Sequence, residues 1–475
     1  MKFRCVLFLF FLMPLSVVTQ AQKIGKMITP NVQESKNIEI LKNRLYSQRK
    51  NYLRKLRGRA DAHEVYKIQA NIQKLEILIA DLEYENKKMG KPLARQEESR
   101  FTYKGHLQFR TESAKNLRAV QGSRQTEQSL LRLRANVSYT ANENLRFNLT
   151  PQATKGFGAN DASGKPTSGS TEHTELDFFE ANFDFHLTDK LSARIGRQAV
   201  SYGDELVIGT LPWSNTGRSF DALRLTYDSK FGSSELLYSK VDDNSTPTVS
   251  TDDQNFISFY NSFDFGPRAR EVDLYYMQLR SGKPSGVKVN SFGFRVKGKA
   301  LGLFYRTENA YQSGANLGDD AFQYNVEVGK KMKRYKASLE YAVAGADYRQ
   351  FFPTGHNFLG FADVLGRRNI KQVSLHLWGR PLRWLSFNID YHSFKREDNS
   401  KSAFRLDGET AIGSNGNSDD IGSEMDFIVT LHSKSRVKLQ LGSTWFNPGE
   451  YMRDQDIGRR DKVVNFNYVQ VLASF

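Results

Sequence analysis

The chain has almost no cysteine: Cys5 is the only one, and it lies in an N-terminal segment that reads as a leader. Lys2 and Arg4 precede an almost wholly apolar stretch, Val6 to Val18, and Thr19-Gln20-Ala21 then places small residues three before and one before a cut. Charge, apolar stretch and small-x-small site are the pattern of a signal peptide spanning residues 1–21. The apolar stretch is too short for a membrane-spanning helix, which needs about 20 residues. Cleavage after Ala21 would leave 454 residues and lower the net charge from +16 to +14, because Lys2 and Arg4 leave with the leader. The mature chain would then hold no disulfide and no thiolate metal site.

Other absences narrow the function. No later apolar run is long enough to span a bilayer as a helix, and the mean hydropathy is −0.56. There is no G-x-S-x-G nucleophile motif and no G-x-x-x-x-G-K-[ST] phosphate loop. With only eight histidines, His173 beside Glu175 and His186 beside Asp184 are the nearest approach to an acid–base pair. The reading is therefore not an enzyme, with no cofactor and no metal. The basic balance would suit nucleic acid, but export argues against that partner.

Two regions follow, with different periods. Over residues 31–95, Ile68, Ile72, Leu75, Ile79 and Leu82 recur at steps of four and three, and Ile38, Leu41 and Leu45 begin a similar stripe. This is the spacing of one helical face. Gly58 interrupts it, Asp61 and Glu64 form a capping-box pattern, and Gly90 and Pro92 close it. The spacing predicts helices over about 33–57 and 62–88: a hairpin packing on itself, or a coiled coil meeting a periplasmic protein or the cell wall. Residues 22–99 are read as this periplasmic helical region and 100–475 as a separate domain.

From Phe101 the period is two. Leu131, Leu133, Ala135, Val137 and Tyr139 alternate with Arg132, Arg134, Asn136 and Ser138, and Phe179, Ala181, Phe183 and Phe185 alternate with Glu180, Asn182, Asp184 and His186. Strands with one apolar and one polar face have this pattern. Tight connections, such as 141–144, 188–190, 229–232, 297–299 and 433–435, alternate with long ones near 114–127, 154–172, 201–219, 243–254, 346–369, 397–422 and 447–461. Carried along the chain, the alternation predicts about eighteen antiparallel strands. An even strand number with short turns on one side and long loops on the other is the plan of an outer-membrane β-barrel. Aromatics at 12% and 35 glycines fit that class, in which only every second strand residue meets lipid.

In such a barrel the polar faces line the lumen. Arg132 and Arg134 on one strand and Arg146 on the next form a cationic cluster, with Arg194 and Arg224 following and Glu180 among the acids. Arg295, Arg306, Glu308, Glu327 and Glu340 also fall on inward positions. A cationic lining concentrates anions. Arg197, Asp204, Glu205, Arg218 and Asp221 place opposite charges along one long loop, which could fold inward and be pinned as a constriction.

Several of these residues carry a resemblance. Ile195-Gly196-Arg197-Gln198, Tyr202-Gly203-Asp204-Glu205, Trp213-Ser214-Asn215 and Gly217-Arg218-Ser219-Phe220-Asp221 together resemble the alginate-export porin family. The resemblance implies an eighteen-stranded outer-membrane channel with an arginine-lined path for an acidic polysaccharide. It does not cover residues 31–95. The partners expected are outer-membrane lipid, an anionic solute or polysaccharide, and a periplasmic or cell-wall contact through 31–95. The alternative is a structural or adhesion barrel that anchors the helical region.

Overall fold

The computed structural model describes residues 41–43, 45–50, 68–69, 71–72, 75–76 and 79, then 100–117, 127–157, 175–242, 254–265, 271–281, 288–315, 317–413, 417–454 and 462–475. The expected signal peptide, with its cut after Ala21, lies outside these residues, as do Gly58, Asp61, Gly90 and Pro92. The chain divides into two units, Met1–Gln96 and Glu97–Phe475.

In the first unit every described residue is helical. Ile68, Ile72 and Ile79 are buried, and Arg49 pairs with Glu76 at 2.8 Å.

The second unit holds an 18-stranded antiparallel sheet and a small two-stranded one of Ala403–Phe404 with Ala411–Ile412. The strands of the large sheet are β1 Phe101–Lys115, β2 Glu127–Asn142, β3 Leu145–Phe157, β4 Glu175–His186, β5 Leu191–Gln198 and β6 Phe220–Ser229. There follow β7 Gly232–Asp242, β8 Gln254–Asp264, β9 Glu271–Ser281, β10 Lys288–Ala300, β11 Leu303–Ala315 and β12 Phe322–Lys331. The last six are β13 Tyr335–Ala344, β14 Ile370–Leu382, β15 Leu385–Lys395, β16 Asp420–His432, β17 Val437–Pro448 and β18 Val464–Ser474. Each strand pairs with the next, and β1 pairs with both β2 and β18, so the sheet closes on itself. Closure leaves no open edge, which lets every strand satisfy its backbone without water.

The alternation sorts side chains by wall face. Phe109, Leu133, Phe147, Leu223, Phe259, Tyr324, Leu375 and Phe427 are exposed on the outer face, while Gln108, Arg110, Arg132, Arg295, Glu308 and Glu340 are buried on the inner one. A one-residue slip would exchange these faces, so register is strongly specified.

The tight connection expected at 297–299 sits elsewhere. Lys297, Gly298 and Lys299 continue β10, and the chain turns at Leu301 and Gly302, both left-handed with φ of 52° and 77°. Two left-handed central residues suit a hairpin, since that backbone matches strand twist. Leucine is a poor signal for such a turn, and the glycine between two lysines is a misleading one.

Candidate functional site

Two long loops enter the lumen and pair there. Residues 199–219, between β5 and β6, meet residues 345–369, between β13 and β14. Ile208 and Phe352 form a parallel bridge: the Gly209 amide donates to Phe352 O at 2.8 Å and the Phe352 amide to Val207 O at 3.0 Å. Leu206, Val207, Ile208, Tyr348, Phe358, Leu359, Val364 and Leu365 are all buried in one apolar cluster with the inner wall. The barrel thus has a hydrophobic core inside its lumen, built from loop residues and the inner wall together.

Each expected site residue can now be placed. Arg132 donates to Ser214 O at 2.7 Å, to Pro212 O at 3.2 Å and to Gln108 Oε1 at 2.5 Å. Arg134 donates to Thr216 O at 2.8 Å and to Gln152 Oε1 at 2.5 Å, with its guanidinium 3.4 Å over the Phe179 ring. Both arginines therefore hold the first loop by its carbonyls. Arg110 joins them: it donates to Trp213 O at 2.7 Å, lies 3.7 Å over the Trp213 ring and pairs with Glu112 at 2.6 Å. Guanidinium suits this task, because its donors fan out in a plane that also stacks on aromatic faces.

Arg146 lies opposite Asp184 on the inner face, and its buried Nε meets no acceptor. Arg194 takes Asp184 in a two-point pair at 2.5 and 3.0 Å, and Arg224 stands 3.8 Å from Glu235. Asp184 is thus engaged by arginine rather than by His186. Glu180 accepts the Ala199 amide at 3.0 Å, where the first loop leaves β5.

The five loop charges do not form one clamp. Arg197 and Asp221, 3.3 Å apart, share the outward face with Ile195 and Leu223 two residues away, and Asp177 joins them at 3.5 Å. All three are substantially exposed, so they tie the strand ends outside the lumen and leave the loop itself alone. Asp204 reaches β10 and β11. It pairs with Arg295 at 2.9 Å, Lys297 at 2.8 Å and Arg306 at 3.9 Å. Burial alone would raise its carboxyl, but Arg295 first, then Lys297 and Arg306, hold it far below the usual carboxylate range. Glu205 and Arg218 bind the second loop instead. Thr354 Oγ1 donates to Glu205 at 2.5 Å, and Arg218 donates to Gly209 O and Pro353 O, each at 3.2 Å, and to Phe352 O. Burial lowers the Arg218 guanidinium to about 10, against the pull of Glu205.

Trp213 and Tyr202 entered only as motif residues of the resemblance, and His356, Tyr260, Tyr275 and Tyr468 were not singled out from sequence. Trp213 stacks on His356 at 4.3 Å and meets Tyr468 edge-on at 4.8 Å, joining both loops to the last strand. Tyr202, Tyr260 and Tyr275 stack in series at 4.3 and 5.7 Å. Their hydroxyls donate to Glu235, Asp273 and Glu308 respectively. The available signal was apolar residues inside long loops, as in Leu206-Val207-Ile208 and Phe351-Phe352. Among the described residues no group of three or more His, Cys, Asp or Glu is arranged to hold a metal ion.

Comparison with other proteins follows from this geometry. Residues 100–466 match the family model described as alginate export. No curated protein matches the sequence significantly. Among solved structures, the chain is similar to Pseudomonas aeruginosa OccK8 (OprE), with a TM-score of 0.54 at 10% identity over 79% of this chain and 98% of that one. It is similar to the P. aeruginosa outer membrane protein OprD, at 0.53 and 10%, over 79% and 93% of the two chains. Acinetobacter baumannii OccAB2 gives 0.53 at 13%, over 79% and 98%. At such identities the likeness concerns the fold.

Proposed function

The chain belongs to the alginate export family and is an outer-membrane β-barrel, and from that premise we propose that it is a channel for anionic solutes, narrowed by its two inward loops. The observation that carries this reading is the inner face of β1–β6. It holds Arg110, Arg132, Arg134, Arg146, Arg194 and Arg224, against Glu112, Glu180, Asp184 and Asp228. Charges along a confined aqueous passage raise the local concentration of counter-ions. Fork-shaped guanidinium donors also match carboxylates, the charged groups of an acidic polysaccharide such as alginate. Arg134, Arg146, Arg194 and Arg224 are the cations of the path, and the loop 199–219 sets its width.

The test is the reversal potential of the reconstituted protein across a KCl gradient. The expected result is anion preference, strongest at low salt, where the Debye length exceeds about 10 Å. A wild-type preference for cations would overturn the anionic reading.

A second reading is favoured by the apolar filling of the lumen, which suits a barrel that anchors rather than conducts. In that case the protein is structural or adhesive, and reconstituted bilayers show no conductance. For residues 22–99 we infer a periplasmic helical hairpin or coiled coil, supported by the Arg49–Glu76 pair and the buried stripe Ile68, Ile72 and Ile79. Removal of residues 1–21 belongs to the same proposal, and intact mass starting at Gln22 tests it.

A further inference from the structure

Polar side chains interrupt the apolar outer belt at several places, among them Ser443, Asn465 and Asn467 and the outer face of β7–β10. On β9 and β10, Arg280 faces Lys288 in register, and both are exposed. They stand at the long-loop end of their strands, and the sequence joining them contains no acid. The row continues through Asn255 to Lys240, which faces Asp221 of β6 in register. On β14 and β15, Lys371 reaches Glu397 and Lys395 reaches Asp419.

Two residues nearer the short turns lies a hydrogen-bonding tier. Gln278 Nε2 donates to Asn290 Oδ1 at 2.6 Å and to the Tyr276 hydroxyl at 3.0 Å, and Tyr276 donates to Asn290 at 3.0 Å. Tyr238, whose hydroxyl donates to Asn255 at 3.0 Å, lines a groove of about 390 Å³ with Asn255, Ile257, Gln278 and Arg280. Below this tier the wall is apolar again, with Leu274, Phe292 and Phe294 exposed.

Cations, then amides and hydroxyls, then exposed apolar side chains repeat the layers of one kind of molecule: a lipid with phosphates, sugar and acyl chains in that order. The geometry points to a binding site on the outer face of β7–β10 for a phosphorylated glycolipid of the outer leaflet. Arg280 and Lys288 take its phosphates, the Gln278–Asn290 tier its sugar, and the aromatic wall its chains. Basic clusters at membrane surfaces select anionic head groups in this way, each cation near the surface strengthening binding about fivefold. The site lies outside the lumen and is independent of what the channel carries.

The folded protein in detergent is titrated with bisphosphorylated lipid A and with the same lipid after dephosphorylation, and complexes are read by native mass spectrometry. The wild type is expected to prefer the phosphorylated form by roughly tenfold or more. Arg280→Glu with Lys288→Glu should remove that preference, and Arg280→Lys with Lys288→Arg should keep it, both with unchanged conductance. Equal wild-type affinity for the two lipids would overturn the site. So would a double glutamate variant that keeps the preference while still showing the heat-dependent gel mobility of a folded barrel.

Discussion

The β1–β6 arc and the β7–β13 arc follow one alternating pattern, yet they use arginine in different ways. On the first arc, Arg110, Arg132 and Arg134 reach inward and donate to backbone carbonyls of a loop, while Arg146, Arg194 and Arg224 share two acids, Asp184 and Glu235. On the second, Arg295 and Arg306 are buried among Glu271, Asp273, Glu327 and Glu340, so each arginine is closed into a network of wall acids. The loop 199–219 spans both. It offers carbonyls to the cationic arc and the carboxylate of Asp204 to the acidic one. The difference teaches that inward charge does not by itself make a solute path. Arginine closed into a carboxylate network stabilises the wall, whereas arginine facing water or a loop carbonyl can be lent to a passing anion.

The comparison can be broken most strongly at Asp204. Asp204→Lys would put a fourth cation against Arg295, Lys297 and Arg306, and disrupting a buried pair of this kind costs about 3–5 kcal/mol. The expected outcome is a loop released from the acidic arc and a several-fold rise in single-channel conductance. An effect about half as large is expected at Arg132→Ala, which withdraws a charged donor from Ser214 O and Pro212 O. Charged hydrogen bonds are worth about 1.5–3 kcal/mol each, and the check is faster protease nicking within 199–219 in the folded barrel.

Titration of the same latch should have a smaller effect. The folded carboxyl of Asp204 lies below its unfolded value, so its contribution is complete above the ordinary aspartate range and is lost only as pH falls through the depressed value. Conductance between pH 5 and 8 should therefore carry no step from Asp204, and a step abolished by Asp204→Asn would contradict this assignment. The smallest effect is on the β10–β11 turn of the acidic arc. Leu301 is left-handed and fully exposed, so Leu301→Asn should stabilise the barrel by about 0.5–1 kcal/mol, read as slightly later loss of gel mobility on heating.

Much of the wall was legible in the sequence because strand period and loop length are local signals. Leu131 to Tyr139 show one face each way, and the connections near 201–219 and 346–369 were visible as long. The interior of the barrel was less legible. The loop pairing at Ile208 and Phe352 joins residues far apart in sequence and leaves no periodic trace. Arg132 and Arg197 look equivalent as strand arginines, yet one faces the loop and the other the outer surface. Gly196, with φ of 112°, lies beside the second of these. The roles of Arg295 and Lys297 depended on where the β10 turn falls, and the two lysines around Gly298 gave the wrong position.

The central claim is that the cationic arc, and not the acidic one, sets ion selectivity. It is tested most directly by measuring the reversal potential of Arg132→Glu/Arg134→Glu/Arg146→Glu beside Lys336→Glu, each in the same low-salt KCl gradient. The account predicts that the triple variant moves strongly toward cation preference with its heat-dependent gel mobility retained, while Lys336→Glu moves little. An unchanged potential in the triple variant, or an equal shift per charge at Lys336, would contradict it.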